Sequence, residues 1–172
     1  AETPEETIED YVAGASFGIG ACDFDLDGDE DFLGLDTIRE NTAAQGRIGF
    51  HLIPNPIPPS FTSGGVPGWC DWDRDGDQDI WLRNRNAPRL RLMLNDSEAH
   101  HGSVSLRLEG VLCNRDAIGA KVTLKTENGI MVRSLRAGEM FLSQSTKWLH
   151  FGMDINERIK SLVVSWPGGE DE

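Results

Sequence analysis

The stretch from Asp23 to Asp31 reads DFDLDGDED, and the stretch from Asp71 to Asp79 reads DWDRDGDQD. Each stretch, called loop 1 and loop 2 below, has aspartates at its positions 1, 3, 5, 7 and 9 and a glycine at position 6. Carboxylates crowded into nine residues repel one another. The pattern therefore indicates that each loop holds a positively charged partner.

The acidity of the chain is concentrated in these two loops. The formal net charge of the 172 residues is −13, of which loop 1 contributes −6 and loop 2 contributes −4. The rest of the chain offers no broad basic surface, which argues against nucleic-acid binding. The sequence has no run of about 18 apolar residues, so it predicts no membrane span.

The spacing of the aspartates fits Ca²⁺, which takes six to eight oxygen ligands in a flexible shell. A tight loop supplies carboxylates from positions 1, 3, 5 and 9 and a backbone carbonyl from position 7, while glycine at position 6 allows the sharp turn. By this analogy Asp29 and Asp77 bind through their carbonyl oxygens. The sequence predicts two calcium sites, formed by Asp23, Asp25, Asp27, Asp29 and Asp31 in loop 1 and by Asp71, Asp73, Asp75, Asp77 and Asp79 in loop 2.

The loops differ from those of EF-hands. Position 12 of an EF-hand is a bidentate glutamate, but Gly34 and Leu82 stand there in this chain. The segments DFLGLD and DIWLRN, which begin at the last residue of each loop, have the pattern of short strands rather than of helices. We therefore expect each loop to join two strands.

The repeat extends beyond the acidic residues. The segment GACDFDLDGDEDF aligns with GWCDWDRDGDQDI at a constant offset of 48, which pairs Gly20 with Gly68 and Cys22 with Cys70. Units of several strands at such a period are typical of propeller blades or related β arrays.

The C-terminal part has the pattern of a separate antiparallel β structure. Segments of alternating or compact apolar residues are separated by the turn signals NRDAIG, ENG and DINE. Five strands at this spacing indicate a small sandwich or barrel. They are predicted at residues 103–110, 120–126, 130–136, 148–153 and 159–166.

The two N-terminal units resemble FG-GAP/VCBS-type repeats, and the segments NRDAIGAKVTL, VRSLRAGEMFLSQS, LHFGM and SLVVSWPGG resemble the ASPIC/UnbV domain that typically follows such repeats. The resemblance implies an all-β protein with two propeller-type blades carrying calcium loops, as a partial or open propeller, followed by a small antiparallel β-sandwich. The implied domains are residues 1–99, with two repeats, and residues 100–172, an ASPIC/UnbV-like β domain.

The resemblance also implies a secreted, periplasmic or cell-surface location and assigns no catalytic residue. We expect a calcium-stabilised binding or scaffolding module that engages a protein or glycan partner, without nucleic acid. The alternative is an accessory part of a secreted or periplasmic enzyme, with its chemistry in a partner or in a longer chain.

Two features depart from the family pattern. A propeller closes with four to eight blades, so two blades imply a fragment of a longer chain, further blades from the same or another chain, or an open arrangement packed on the C-terminal domain. Cys22 and Cys70 stand where a small residue is expected. They are open to three interpretations, namely separate thiols, a disulfide, or a soft-metal or redox site that would favour the enzyme-accessory alternative.

Overall fold

The structure, a computed structural model, describes residues 20–33, 38–42, 49–53, 66–83, 88–96, 101–139 and 143–169. The described residues form twelve strands: β1 Gly20–Cys22, β2 Asp31–Leu33, β3 Ile38–Asn41, β4 Phe50–Ile53, β5 Val66–Cys70, β6 Asp79–Arg83, β7 Leu90–Met93, β8 His101–Arg107, β9 Lys121–Thr126, β10 Ile130–Ser134, β11 Trp148–Asp154 and β12 Ile159–Ser165. Within these ranges no helix is long and apolar enough to cross a membrane.

Each acidic loop joins the first two strands of a small antiparallel sheet. The first sheet has the order β1-β2-β3-β4, and the second has the order β5-β6-β7. The register is the same in both, because Cys22 lies opposite Asp31 and Cys70 lies opposite Asp79. The offset of 48 residues in the sequence is therefore also a repeat of strand pairing.

The two N-terminal sheets share one hydrophobic core. Strands as short as three residues bury too little apolar surface to be stable alone, and here each sheet supplies part of a common cluster. Its buried members are Cys22, Leu33, Ile38, Trp69, Ile80 and Leu82. The two units are also joined by a hydrogen bond of 3.0 Å from Asn95 Nδ2 to the carbonyl of Phe24.

The C-terminal part contains a three-stranded sheet, β10-β9-β12, and a two-stranded sheet, β11-β8. Side chains from both sheets form a second core, in which Val122 and Leu124 of β9 lie with Leu149 and Phe151 of β11. Strand β9 alternates as a one-sided strand does, with Lys121 and Lys125 exposed. In β11, by contrast, every residue from 149 to 153 is buried, so this strand is covered on both faces.

The N-terminal and C-terminal parts are in direct contact. Ser143 Oγ donates to the carbonyl of Pro67 at 2.9 Å, and Thr146 N donates to the carbonyl of Trp69 at 3.1 Å. The segment that leads into β11 thus lies beside β5. The second face of β11 is turned toward the acidic loops, as described below.

The prediction of an all-β protein with small antiparallel sheets is confirmed. None of the sheets seen in the described ranges is closed, and none has the form of a propeller. The predicted domain boundary between residues 99 and 100 falls in the segment 97–100, which lies outside the described residues. The proposed division into residues 1–99 and 100–172 therefore stays a prediction.

Candidate metal centres in the two acidic loops

The backbones of the two loops follow the same path. Position 4 has a left-handed conformation in both, with φ of 64° at Leu26 and 66° at Arg74. Position 6 is a glycine with φ of 100° at Gly28 and 105° at Gly76. Because side chains other than glycine rarely adopt the latter conformation, the glycine that the sequence places at position 6 is required by the turn.

Within each loop, aspartate side chains accept hydrogen bonds from backbone amides two residues ahead. In loop 1 the amide of Asp27 donates to Asp25 Oδ1 at 3.3 Å, and the amide of Asp29 donates to Asp27 Oδ1 at 2.9 Å. In loop 2 the amide of Asp77 donates to Asp75 Oδ1 at 3.2 Å in the same way. Such bonds are characteristic of aspartate in turns, and they fix where the carboxylates lie along the loop.

The aspartate at position 9 closes each loop. Both oxygens of Asp31 accept backbone amides, from Phe24 and Asn41, at 2.8 Å each. Asp79 does the same with Trp72 at 2.7 Å and Asn95 at 2.9 Å. Each of these buried carboxylates thus connects the start of its loop with the residue at or just after the end of the third strand of its sheet, which is β3 in the first sheet and β7 in the second.

The loops bring carboxylates close enough together to hold a metal ion. In loop 1 one oxygen from each of Asp23, Asp25 and Asp27 lies within 4.8 Å of the others. In loop 2 the triad is Asp71, Asp73 and Asp79, so the third member comes from position 9 rather than from position 5. Six of the ten predicted site residues thus belong to a triad, while the four outside both are Asp29, Asp31, Asp75 and Asp77.

Some carboxylate oxygens in the loops are buried without a hydrogen-bond partner. At position 1 these are Asp23 Oδ1 and Asp71 Oδ1, and at position 7 they are Asp29 Oδ1 and Asp77 Oδ1. An ionised oxygen that is removed from water without a partner is costly. A hard divalent cation would satisfy the position 1 oxygens, and the all-oxygen donor set is the one that such cations prefer. The residues of both loops therefore fit a divalent metal.

Burial raises the pKa of several loop carboxyl groups. Desolvation raises the pKa of Asp23 to about 7, against the opposing effects of the Gly152 amide and the Arg133 guanidinium. Desolvation, followed by neighbouring carboxylates, raises the pKa of Asp29 and of Asp77 to about 7. The raised pKa values indicate that burial disfavours the ionised form of these aspartates.

Side chains of the C-terminal part bind the same carbonyl in both loops. Arg133 Nη2 donates to the carbonyl of Gly28 at 3.2 Å, and His150 Nε2 donates to the carbonyl of Gly76 at 2.8 Å. Arg133 is mostly buried, lies 3.7 Å from Asp23 Oδ2, and places its guanidinium over the ring of Phe151. These contacts span 105 and 74 residues, and no motif in the sequence predicts them.

Loop 1 is also held by the backbone of β11. The amide of Gly152 donates to Asp23 Oδ2 at 2.9 Å. A Cβ atom added to Gly152 would lie within 3 Å of the Leu26 backbone and of that same oxygen. Only a glycine therefore allows β11 to approach loop 1 this closely.

The three cysteines are free thiols, with Cys22 buried and Cys70 and Cys113 half-buried. Burial raises the pKa of Cys22 well above its ordinary value, and the carboxylates of Asp31 and Asp23 act in the same direction. In the described part of the chain, the candidate metal groups contain aspartates and no cysteine.

Comparison with curated proteins finds no significant match to the chain. A family model described as "ASPIC and UnbV" matches residues 110–172. The matched segment includes strands β9 to β12 and both side chains that bind the loop glycines, and it leaves residues 1–109 outside. Residues 110–172 of this chain are an ASPIC/UnbV domain.

Proposed function

We propose that the protein is a calcium-stabilised extracytoplasmic binding or scaffolding module in which two FG-GAP/VCBS-type units precede the ASPIC/UnbV domain. The observation that carries the metal part of this proposal is the buried, unpartnered oxygen at the first position of each loop, Asp23 Oδ1 and Asp71 Oδ1. Two loops 48 residues apart share this feature, the same backbone torsions and the same strand register.

The donor chemistry favours calcium over magnesium. Mg²⁺ demands a small, near-octahedral shell and keeps several waters, whereas Ca²⁺ accepts many carboxylate and carbonyl oxygens in irregular shells. In loop 1 the ion would be held by Asp23, Asp25 and Asp27, and in loop 2 by Asp71, Asp73 and Asp79. The bound ion supplies positive charge that offsets the repulsion among these carboxylates.

Several features support a blade-like interpretation of the N-terminal units. Two antiparallel sheets with matching loops and matching registers pack around one shared core. Further blades, from the same chain or another, would complete such an array, and the C-terminal sheets would then act as a small β-sandwich beside it. In this proposal the C-terminal part contacts the loops directly and caps them.

Exposed apolar side chains beside loop 2 support a binding role. Trp72 is 57% exposed and Leu94 is 55% exposed. Both residues are next to the Asp79 carboxylate in the backbone, because the amides of Trp72 and Asn95 donate to the two oxygens of Asp79. An apolar surface rimmed by polar groups is typical of an interaction site. We assign it to a protein or glycan partner in the periplasm, at the cell surface or outside the cell.

The proposal is tested by calorimetry and thermal melting of the full chain. We expect two bound Ca²⁺ per chain, a melting temperature that falls in EDTA, and recovery with Ca²⁺ that exceeds recovery with Mg²⁺. Metal binding that depends on the folded loops adds to folding stability. Asp25→Ala and Asp73→Ala should each remove one site, and Asp29→Asn and Asp77→Asn should have smaller effects.

Two results would count against the proposal. No heat of calcium binding at millimolar concentration, together with an unchanged melt in EDTA, would overturn the metal assignment of both loops. A transition metal that stays bound after EDTA treatment and calcium re-addition would instead favour an accessory role in an enzyme. Binding of the protein to a glycan array or to cell-surface proteins, compared with Trp72→Ala, tests the partner assignment.

A further inference from the structure

Asp23 connects loop 1 with the ASPIC/UnbV domain. Its side chain is 1% exposed, and its two oxygens have different surroundings. Oδ2 accepts the amide of Gly152 in β11 and lies 3.7 Å from Arg133 Nη2. Oδ1 is buried and has no hydrogen-bond partner, and it belongs to the residue that begins the metal triad of loop 1.

We propose that calcium binding to loop 1 and docking of the ASPIC/UnbV domain on that loop are coupled, and that Asp23 carries the coupling. This inference rests on the calcium sites proposed above. In it, one oxygen of Asp23 binds the ion while the other is held by the domain. The backbone amide of Gly152 thus acts as a positioning group for a metal ligand.

The physical reason is preorganisation. Hydrogen bonds to the outer oxygen of a ligating carboxylate fix its orientation, and loss of such partners typically lowers metal affinity by 10–100-fold. The Arg133 contacts with the Gly28 carbonyl and with Asp23 hold the same loop against the domain. Coupling between two binding events is reciprocal. Calcium in loop 1 must therefore strengthen docking as much as docking strengthens calcium binding.

Loop 2 is attached differently. His150 holds the carbonyl of Gly76, and the first carboxylate of that loop, Asp71, is only half-buried. Asp71 Oδ1 is buried without a hydrogen-bond partner, and the structure gives no counterpart in loop 2 of the bond from the Gly152 amide to Asp23 Oδ2 among the described residues. The coupling should therefore be stronger for loop 1 than for loop 2, which provides an internal control.

The first experiment follows the exchange of the Gly152 amide by NMR in the full chain. We expect calcium to slow this exchange at least tenfold in the wild-type protein. Asp25→Ala, which disables loop 1 without touching β11, should remove the slowing, and Asp73→Ala in loop 2 should leave it. The amide of Gly110, bonded to the Arg115 carbonyl within the domain, should respond to neither variant.

The second experiment measures calcium affinity in an Asp73→Ala background, where loop 1 is the site under test. Gly152→Ala places a Cβ against loop 1 and should weaken calcium binding about tenfold or more. The matched control is Gly102→Ala on the paired strand β8, where the nearest atom to the new Cβ is at 3.6 Å. That variant should stay within about twofold of its background.

The outcomes separate this inference from the proposed function. If calcium binds both loops but leaves Gly152 exchange unchanged, the coupling is overturned and the metal sites stand. If no calcium binds, both proposals fall. If Gly152→Ala does not fold by circular dichroism, the exchange of the wild-type and Asp25→Ala proteins decides the question alone.

Discussion

Asp31 and Asp79, 48 residues apart, each use both carboxylate oxygens to accept backbone amides from two separate segments. One amide comes from position 2 of the same loop, and the other comes from the asparagine at or after the end of a later strand. Both side chains are at most 2% exposed. The position 9 aspartates therefore stabilise the hairpins as well as contributing charge to the loops.

We predict that Asp79→Ala destabilises the protein in EDTA, where no metal contributes. The part-buried amide of Trp72 and the buried amide of Asn95 lose their acceptors, at a cost of roughly 2–5 kcal/mol in the free energy of unfolding. The control is Asp73→Ala, which changes an exposed carboxylate of the same loop and should destabilise the protein in EDTA far less than Asp79→Ala does. Equal losses for the two variants in urea denaturation would contradict this structural role of Asp79.

The second prediction concerns the pH dependence of stability. Burial lowers the pKa of His150, and the Gly76 carbonyl acts in the opposite direction. The unfolded chain takes up a proton as the pH falls through about 6.5, while the lowered pKa of His150 delays protonation in the folded chain to a lower pH. Stability is therefore lost as the pH falls below that value.

The non-titrating variant His150→Gln isolates this effect from the carboxylates. We expect the melting temperature of the wild-type protein to fall relative to that of the variant as the pH is lowered from 7.5 to 5.5. A wild-type protein that gains stability relative to the variant over this range would contradict the assignment.

The third prediction is that calcium binding to loop 2 changes the tryptophan fluorescence of the protein. Trp72 at position 2 lies edge-to-face with Trp81, with ring centroids 5.0 Å apart, while loop 1 has Phe24 at that position. Calcium binding in loop 2 should change tryptophan emission, and Trp72→Phe should remove most of the change while calorimetry still detects two ions. Trp148→Phe, which removes a half-exposed tryptophan of β11, should retain the signal.

The fourth prediction concerns the thiols. Cys22 is buried and its pKa is raised by desolvation, so little reactive thiolate forms there. In the native protein Cys22 should be alkylated more slowly than Cys70 or Cys113, as measured by peptide mass analysis over time. After denaturation without reductant all three should react, and a Cys22–Cys70 disulfide in that sample would contradict the free-thiol arrangement.

The alternating aspartates made the loops predictable, because the chemistry of a cation site and the need for glycine at position 6 are both local. The left-handed torsions at Gly28 and Gly76 agree with that reading. The second role of Asp31 and Asp79 was not predictable. Their partners Asn41 and Asn95 lie 10 and 16 residues further along the chain. Because the two separations differ, no fixed sequence spacing predicts these hydrogen bonds.

Strand β11 shows where periodicity stops being informative. Leu149 and Phe151 enter the domain core, and a one-sided strand would expose the residues between them. Here His150 and Gly152 contact the acidic loops instead, so both faces are buried. The burial of both faces of β11 depends on how distant parts of the chain pack together. The pattern of apolar residues within β11 alone cannot predict it.

The bond between Asp23 and Gly152 spans 129 residues, and this separation has a consequence for biosynthesis. At about 5–20 residues per second of translation, Asp23 is made on the order of ten seconds before its partner amide. During that interval a nascent chain holds loop 1 without the strand that orients its first carboxylate. The moment at which loop 1 becomes complete is therefore set by the emergence of β11, near the end of the described chain, and not by the synthesis of the loop itself.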